Sequence, residues 1–159
     1  MAAGLGTVRA EAVRFLESDG NAAGGNAGTW NGSFQVPAEA VLIDVIVHGN
    51  ALWTATTSAT LIVGDVADDD GIFTAVNLKA TDLLAGESIS FADNGGKQGA
   101  DVDAVAAGMQ VRRRTLQSAR SLTCKIITVG TPVTTRPGDT TVVFVYAYPS
   151  AMKASFVTA

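Results

Sequence analysis

Two stretches of this chain, Val41–His48 and Thr140–Tyr148, are apolar on both faces that a β-strand presents. Side chains alternate across a strand, so Val41, Ile43, Val45 and Val47 read to one side, and Leu42, Asp44, Ile46 and His48 to the other. In the second stretch Val142, Phe144, Tyr146 and Tyr148 oppose Val143, Val145 and Ala147. One face of each can be buried in a core. The other needs a further layer, and the sequence holds almost no helical pattern to supply one. A second protein surface is the remaining cover.

Other short apolar segments follow at strand-like spacing, punctuated by turn residues. Thr29–Gln35 reads as a strand, Val36–Ala40 as a turn built on Pro37, and Thr60–Val66 as a strand. Gly64 within it predicts a bulge or a close backbone approach. Asp68–Gly71 reads as a turn and Ile72–Leu78 as a strand. Ala80–Gly86 fits one helical turn. Asp93–Gly99 is a glycine-rich loop, and Val105–Leu116 alternates only in part. Ser121–Val129 places Leu122, Cys124 and Ile126 on one face, and Met152–Thr158 fits a short terminal strand.

This is the pattern of an all-β antiparallel β-sandwich over residues 29–159. Residues 1–28 stand apart. Thr7–Glu17 fits either a strand (Val8, Ala10, Ala12) or a helical stripe (Leu5, Val8, Ala12, Leu16). Residues 18–28, rich in Gly and Asn, read as a flexible linker. The segment is expected to be an arm or an added edge strand, with Arg9 and Arg14 as charged contacts. Its removal is expected to leave the β body folded.

Composition narrows the function classes. The 159 residues carry 11 Lys+Arg against 15 Asp+Glu, a net charge of −4, which argues against a nucleic-acid binder with a cationic face. Only 16% of residues are charged, while 47% are hydrophobic, yet no apolar run approaches the ~20 residues of a membrane helix. A single cysteine, Cys124, forms no intrachain disulfide, and a single histidine, His48, excludes a site needing two. The first residues lack the basic, apolar and small-residue order of a secretory leader.

No catalytic, metal or cofactor site is expected. There is no Gly-x-Ser-x-Gly turn. His48 and Asp44, four apart on one strand, lie ~13 Å apart at about 3.3 Å per residue, too far for a hydrogen bond. In Gly95–Gly99 the lysine, Lys97, is followed by Gln98 rather than Ser or Thr. The acidic turn Asp65–Gly71 fails the calcium-loop register, which would place Val66 and Asn77 at ligand positions. Trp30 and Trp53 suit core or interface packing, or sugar stacking in a carbohydrate-binding module if exposed beside polar groups. Arg112 and Arg114 share a face if their segment is a strand; that face reads as a solvated one, or as a contact to carboxylates of an acidic protein partner ahead of nucleic acid.

The stretch Phe34-Gln-Val-Pro-Ala-Glu-Ala-Val-Leu-Ile-Asp-Val-Ile-Val47, followed by Ser58-Ala-Thr-Leu-Ile-Val-Gly-Asp65 and Asp70-Gly-Ile-Phe-Thr74, resembles a recurrent pattern in tailed-bacteriophage virion proteins. These are small sandwich or jelly-roll proteins that decorate or cement heads, or build fibres and other virion parts. Glu39 stands where the pattern has glycine. The resemblance implies a jelly-roll, a capsid decoration or cement role, the major capsid protein as partner, and a homotrimer at local three-fold points. It also implies a place on the outside of the virion after synthesis in the host cytoplasm. A tail or fibre component is the nearer alternative.

Overall fold

A computed structural model describes residues 7–19, 28–102, 119–131 and 137–148. Eight strands appear in chain order: β1 (Thr7–Leu16), β2 (Thr29–Val36), β3 (Val41–Ala51), β4 (Ser58–Asp65), β5 (Phe73–Asn77), β6 (Ser88–Ile89), β7 (Arg120–Val129) and β8 (Asp139–Tyr148). They form two four-stranded antiparallel sheets, ordered β1-β8-β3-β6 and β2-β7-β4-β5. The pairs β1·β8, β2·β7, β3·β6 and β4·β5 together make one long antiparallel ribbon. Rolling that ribbon places alternate pairs in opposite sheets, and β3·β8 and β4·β7 close each sheet. This winding is the jelly roll, as the resemblance implies.

The strands form where β-branched and aromatic residues alternate with polar ones. Their inward side chains make one core. Val142, Phe144 and Tyr146 from β8 meet Leu122, Cys124 and Ile126 from β7, with Val45, Val47, Leu61 and Val63 completing the layer. Phe34 stacks on Phe144 at 4.8 Å between ring centres. Burial pushes the Cys124 thiol up to about 12, so it stays protonated and packs as a small hydrophobe.

In β3 the alternation breaks. The register shifts between Leu42 and Asp44, a bulge that gives the strand one extra residue. Leu42, Val45 and Val47 are buried, while Ile43 is 40% exposed. The expectation that Val41, Ile43, Val45 and Val47 share one face is therefore corrected. Ala80–Gly86 is also not a helical turn: it is a run of turns, with Ala80 at φ +71°.

Of the two roles expected for Gly64, the close backbone approach is the one found. The register shift of β4 against β5 lies earlier, between Leu61 and Val63, and pairing with β7 runs unbroken through Gly64. A side chain at Gly64 would lie 2.1 Å from the Asp68 carbonyl oxygen. The Asp68–Gly71 turn thus folds directly back on the strand.

The turn entering β3 shows why the phage pattern carries glycine at position 39. The Ala40 amide donates to the Pro37 carbonyl at 3.2 Å, and Glu39 sits at φ +62°. A positive φ at the third residue of a turn is a glycine conformation, because Cβ crowds the backbone there. Glu39→Gly is expected to stabilise the chain by about 1 kcal/mol, the left-handed strain less the added freedom of the unfolded chain. Thermal melting checks it: a Tm equal to or below wild type would contradict the turn geometry.

Of the arm or added edge strand expected at the start of the chain, the described part, Thr7–Leu16, is the edge strand. β1 pairs with β8 along all ten of its residues, from Thr7↔Tyr148 to Leu16↔Asp139. Phe15 is buried, and the next residue but one, Glu17, is 1% exposed. Removing this segment would strip both from the interior, so a destabilised β body is the outcome expected of the deletion. Met152–Thr158 and Val105–Leu116 lie outside the described residues, as does the linker between Gly20 and Ala27.

Candidate interaction surface

The two sheets turn very different outer faces to the surroundings. Register sets the outer face of the β1-β8-β3 sheet in rows across the strands. One row holds Val8, Ala147 and Val41. The next holds Ala10, Val145 and Asp44, and the third Ala12, Val143 and Ile46. Val8 is 61% exposed, Ala10 and Ala12 are exposed, and the β8 and β3 residues are half-buried. Asp44, the one charge among them, is turned aside: its Oδ1 accepts from the Val45 and Phe91 amides, each at 2.9 Å. The face is therefore flat, small-sided and apolar.

The outer face of the other sheet is mostly polar. β2 presents Thr29, Asn31, Ser33 and Gln35, and β7 presents Ser121, Thr123 and Lys125, with Ile127 and Val129 at one end. Lys125 is held by Asp69 at 2.8 Å. Val66, in the turn after β4, is 89% exposed and stands alone.

A polar border runs along one edge of the apolar face. Arg14 grips Asp139 with two hydrogen bonds, 3.0 Å from Nε and 2.6 Å from Nη2, and Asn50 donates to the same carboxylate. These bonds, Arg14 first, outweigh the desolvation that would raise it, so the Asp139 carboxyl lies below its usual range. His48 Nδ1 shares a 2.7 Å hydrogen bond with Ser88 Oγ. Imidazole and Asp44 thus have separate partners.

On the inward side of β1, Tyr146 donates to Glu11 Oε1 at 2.9 Å, and the Arg9 guanidinium lies 6.0 Å from the Tyr148 ring centre. Arg9 and Arg14 therefore point to opposite sides of one strand. Arg112 and Arg114 lie outside the described residues.

The tryptophans pack against each other, edge to face, at 5.0 Å. Trp53 is 2% exposed and donates from Nε1 to Thr140 Oγ1 at 2.9 Å. Its ring faces Trp30 and the core, leaving no stacking platform for a sugar. Trp30 is half-buried against the same cluster.

The glycine-rich loop is a structural tie. Lys97 reaches Asp82 at 2.8 Å, and the Lys97 carbonyl accepts the Thr74 amide at 2.9 Å. No group of three or more metal-ligating side chains is found among the described residues. No helix among them is long and apolar enough to cross a membrane.

Sequence reading missed a buried cation. Arg120, 8% exposed, donates from Nε to Asp65 at 2.8 Å and from Nη2 to Asp101 at 2.5 Å. Its signal was available: Arg120 shares parity with Leu122, Cys124 and Ile126, and a charge on a buried face demands counter-charges.

No protein-family model and no curated protein sequence matches the chain. Among solved structures, it is similar to a chain of the cyanophage Pam1 capsid asymmetric unit, with a TM-score of 0.45 and 16% identity over 94% of this chain and 92% of that one. It is also similar to a chain of the acid-stable capsid of Helicobacter pylori bacteriophage KHP30, with a TM-score of 0.46 and 11% identity over 94% of this chain and 100% of that one.

Proposed function

We propose that this chain is a non-enzymatic structural component of a tailed-bacteriophage virion, a decoration or cement protein that seats on the outside of the head and stabilises the capsid lattice. The observation that carries the reading is the contrast between the outer faces. A sheet face of Val8, Ala10, Ala12, Val143, Val145 and Ile46 gains by leaving water, roughly 25 cal/mol per Å², whereas the Ser/Thr/Asn face of the opposite sheet is content in it. A jelly roll with one apolar outer face is built to lie on another protein. The phage-like motif in β3, β4 and β5 supplies the class of partner, the major capsid protein. The homotrimer and its three-fold seat rest on that resemblance too, and Arg112 and Arg114 are offered to carboxylates on the capsid.

The test is to add purified chain to heads assembled without it. Saturable binding and a higher temperature of head disruption are expected. Val145→Lys, placed on the outer face, is expected to weaken binding at least tenfold while leaving the melting of the free chain nearly unchanged. Heads that neither bind the chain nor gain heat resistance, or that bind Val145→Lys as well as wild type, would refute the reading.

A further inference from the structure

β1 is an edge strand of a kind that soluble proteins seldom leave uncovered. It runs ten residues with an unbroken register, contains neither Pro nor Gly, and has no bulge. Thr7 to Ala12 are all exposed. Among the described residues no strand pairs with its far edge, which offers a row of backbone N–H and C=O groups. Natural sheets ordinarily blunt such an edge with proline, bulges or inward charges, and of these β1 has only the charges of Arg9 and Glu11, which a second copy can neutralise. We propose that β1 pairs antiparallel with β1 of a second copy of this chain, about a two-fold axis through Ala10, so that the two outer sheets become one.

Charge picks both the occupant and the register. A two-fold axis perpendicular to the sheet keeps each face with its own kind, so residues of equal parity stand opposite each other. Centring on Ala10 sets Arg9 against Glu11 of the second copy, and Glu11 against Arg9 of the second copy. Sliding by one step either way sets Arg9 against Arg9, or Glu11 against Glu11. Opposite charges directly across antiparallel strands are favourable, and like charges are not. Glu11 already accepts from Tyr146 through Oε1, which leaves its second oxygen for the incoming guanidinium.

The outer face is equally well matched. In this register Val8 stands beside Ala12 of the second copy, and Ala10 beside its own mate. The row Val41–Ala147–Val8 then continues into Ala12–Val143–Ile46 of the second copy. Pairing extends the apolar face across two copies without a break in its rows. The contact is isologous and closes on itself, so it makes pairs and not fibres. If copies are also grouped in threes, the same contact joins one group to the next. It stands on the strand's own geometry, whatever surface the assembly covers.

Light scattering or sedimentation of the full chain tests it, at about 100 µM, well above the micromolar end of standard interfaces. The wild-type mass is expected to be an even multiple of the chain. Ala10→Glu, which brings two carboxylates together at the axis, is expected to halve it while circular dichroism and Tm stay near wild type. Arg9→Glu alone is expected to halve it too, by facing Glu11 with glutamate. Arg9→Glu with Glu11→Arg restores opposite charges and is expected to restore the mass, although Tyr146 then lacks its acceptor. A wild-type mass of one chain or an odd multiple, a mass indifferent to Ala10→Glu, or a charge swap no better than Arg9→Glu overturns the proposal. Loss of head binding with the paired mass intact would count against the proposed function alone.

Discussion

Glu17→Ala is expected to destabilise the chain by about 4 kcal/mol, more than the truncation of most core side chains of its size. The carboxylate is 1% exposed and has no cation beside it among the described residues. It is held instead by donors from two distant segments. Oε1 accepts the Ala55 amide at 2.9 Å, and Oε2 accepts the Thr54 hydroxyl and the Gly138 amide, each at 2.8 Å. The Thr54 amide reaches both oxygens. The Glu17 amide in turn donates to the Gly138 carbonyl at 2.8 Å. One side chain thereby fastens the end of β1 to the β3–β4 loop and to the entry of β8. Alanine would leave three amides without their acceptor, each worth roughly 1–3 kcal/mol when buried. Gly138 cannot shift to compensate, since a Cβ there would already lie 2.6 Å from Trp53 Cα. A Tm lowered by roughly 8–16 °C is the corresponding observable. A loss below 1 kcal/mol in denaturant titration would show that the anchor is not structural.

Arg120→Met should have the second largest effect, about 3–5 kcal/mol, because it takes a buried guanidinium away from the Asp65 and Asp101 carboxylates. Asp65 shows how finely that position is balanced. Desolvation pushes its carboxyl up, but the Ala67 and Asp68 amides and the Arg120 guanidinium together hold it below the ordinary 3.8. A carboxyl depressed by folding contributes stability that is fully present above its unfolded value and is lost as pH falls through the folded one. Asp139 has the same sign. Asp70 has the opposite sign: the Asp68 carboxylate bonded to it, and then desolvation, raise it, so acid relieves that repulsion. Melting of the wild type is therefore expected to be level from pH 8 to about 5 and to fall below about 4. In Arg120→Met the cation no longer holds Asp65 down, so that part of the acid fall disappears and the deficit against wild type narrows as pH drops. Adding Asp65→Asn and Asp101→Asn removes the stranded charges and should recover most of the loss at pH 7. A triple variant no better than the single would mean that Arg120 matters for packing and not for charge.

Much of this fold is legible in the alternation of β7 and β8, where Leu122, Cys124 and Ile126, and Val142, Phe144 and Tyr146, fall on every second position and are all buried. β3 was less legible. A bulge adds one residue without any sequence mark, and it turns Ile43 outward although its parity matches Val45. The N-terminal segment was the least legible. Its residues fit two periodicities, and only pairing with β8, at the far end of the chain, selects the strand. Glu17 carried no signal, because its partners are backbone amides, which every sequence possesses. The candidate surface was half visible. Val143 and Val145 announced an outer apolar face, but Val8, Ala10 and Ala12 joined it only once register was known. Trp53, read as core or interface packing, belongs to the core, a choice its sequence neighbours left open, since an indole beside turn residues packs inward as readily as outward.

The rolled ribbon also dictates a timetable. β4 and β5 are neighbours in the chain and can meet early, whereas the ladder of β1 with β8 runs from Leu16↔Asp139 to Thr7↔Tyr148, and even its Arg14–Asp139 bond spans 125 positions. Closing so long a loop is entropically slow, and chains dominated by distant pairings fold slowly. During synthesis β1 emerges well before its partner β8. Throughout that interval it is a bare ten-residue strand with apolar Val8, Ala10, Ala12 and Phe15, and its Glu17 anchor has no Gly138 to hold. Neighbouring nascent chains on one message meet in this state, each offering an unpaired β1. If copies pair through β1 as proposed, that contact can form co-translationally, before β8 is made, as well as by collision of finished subunits.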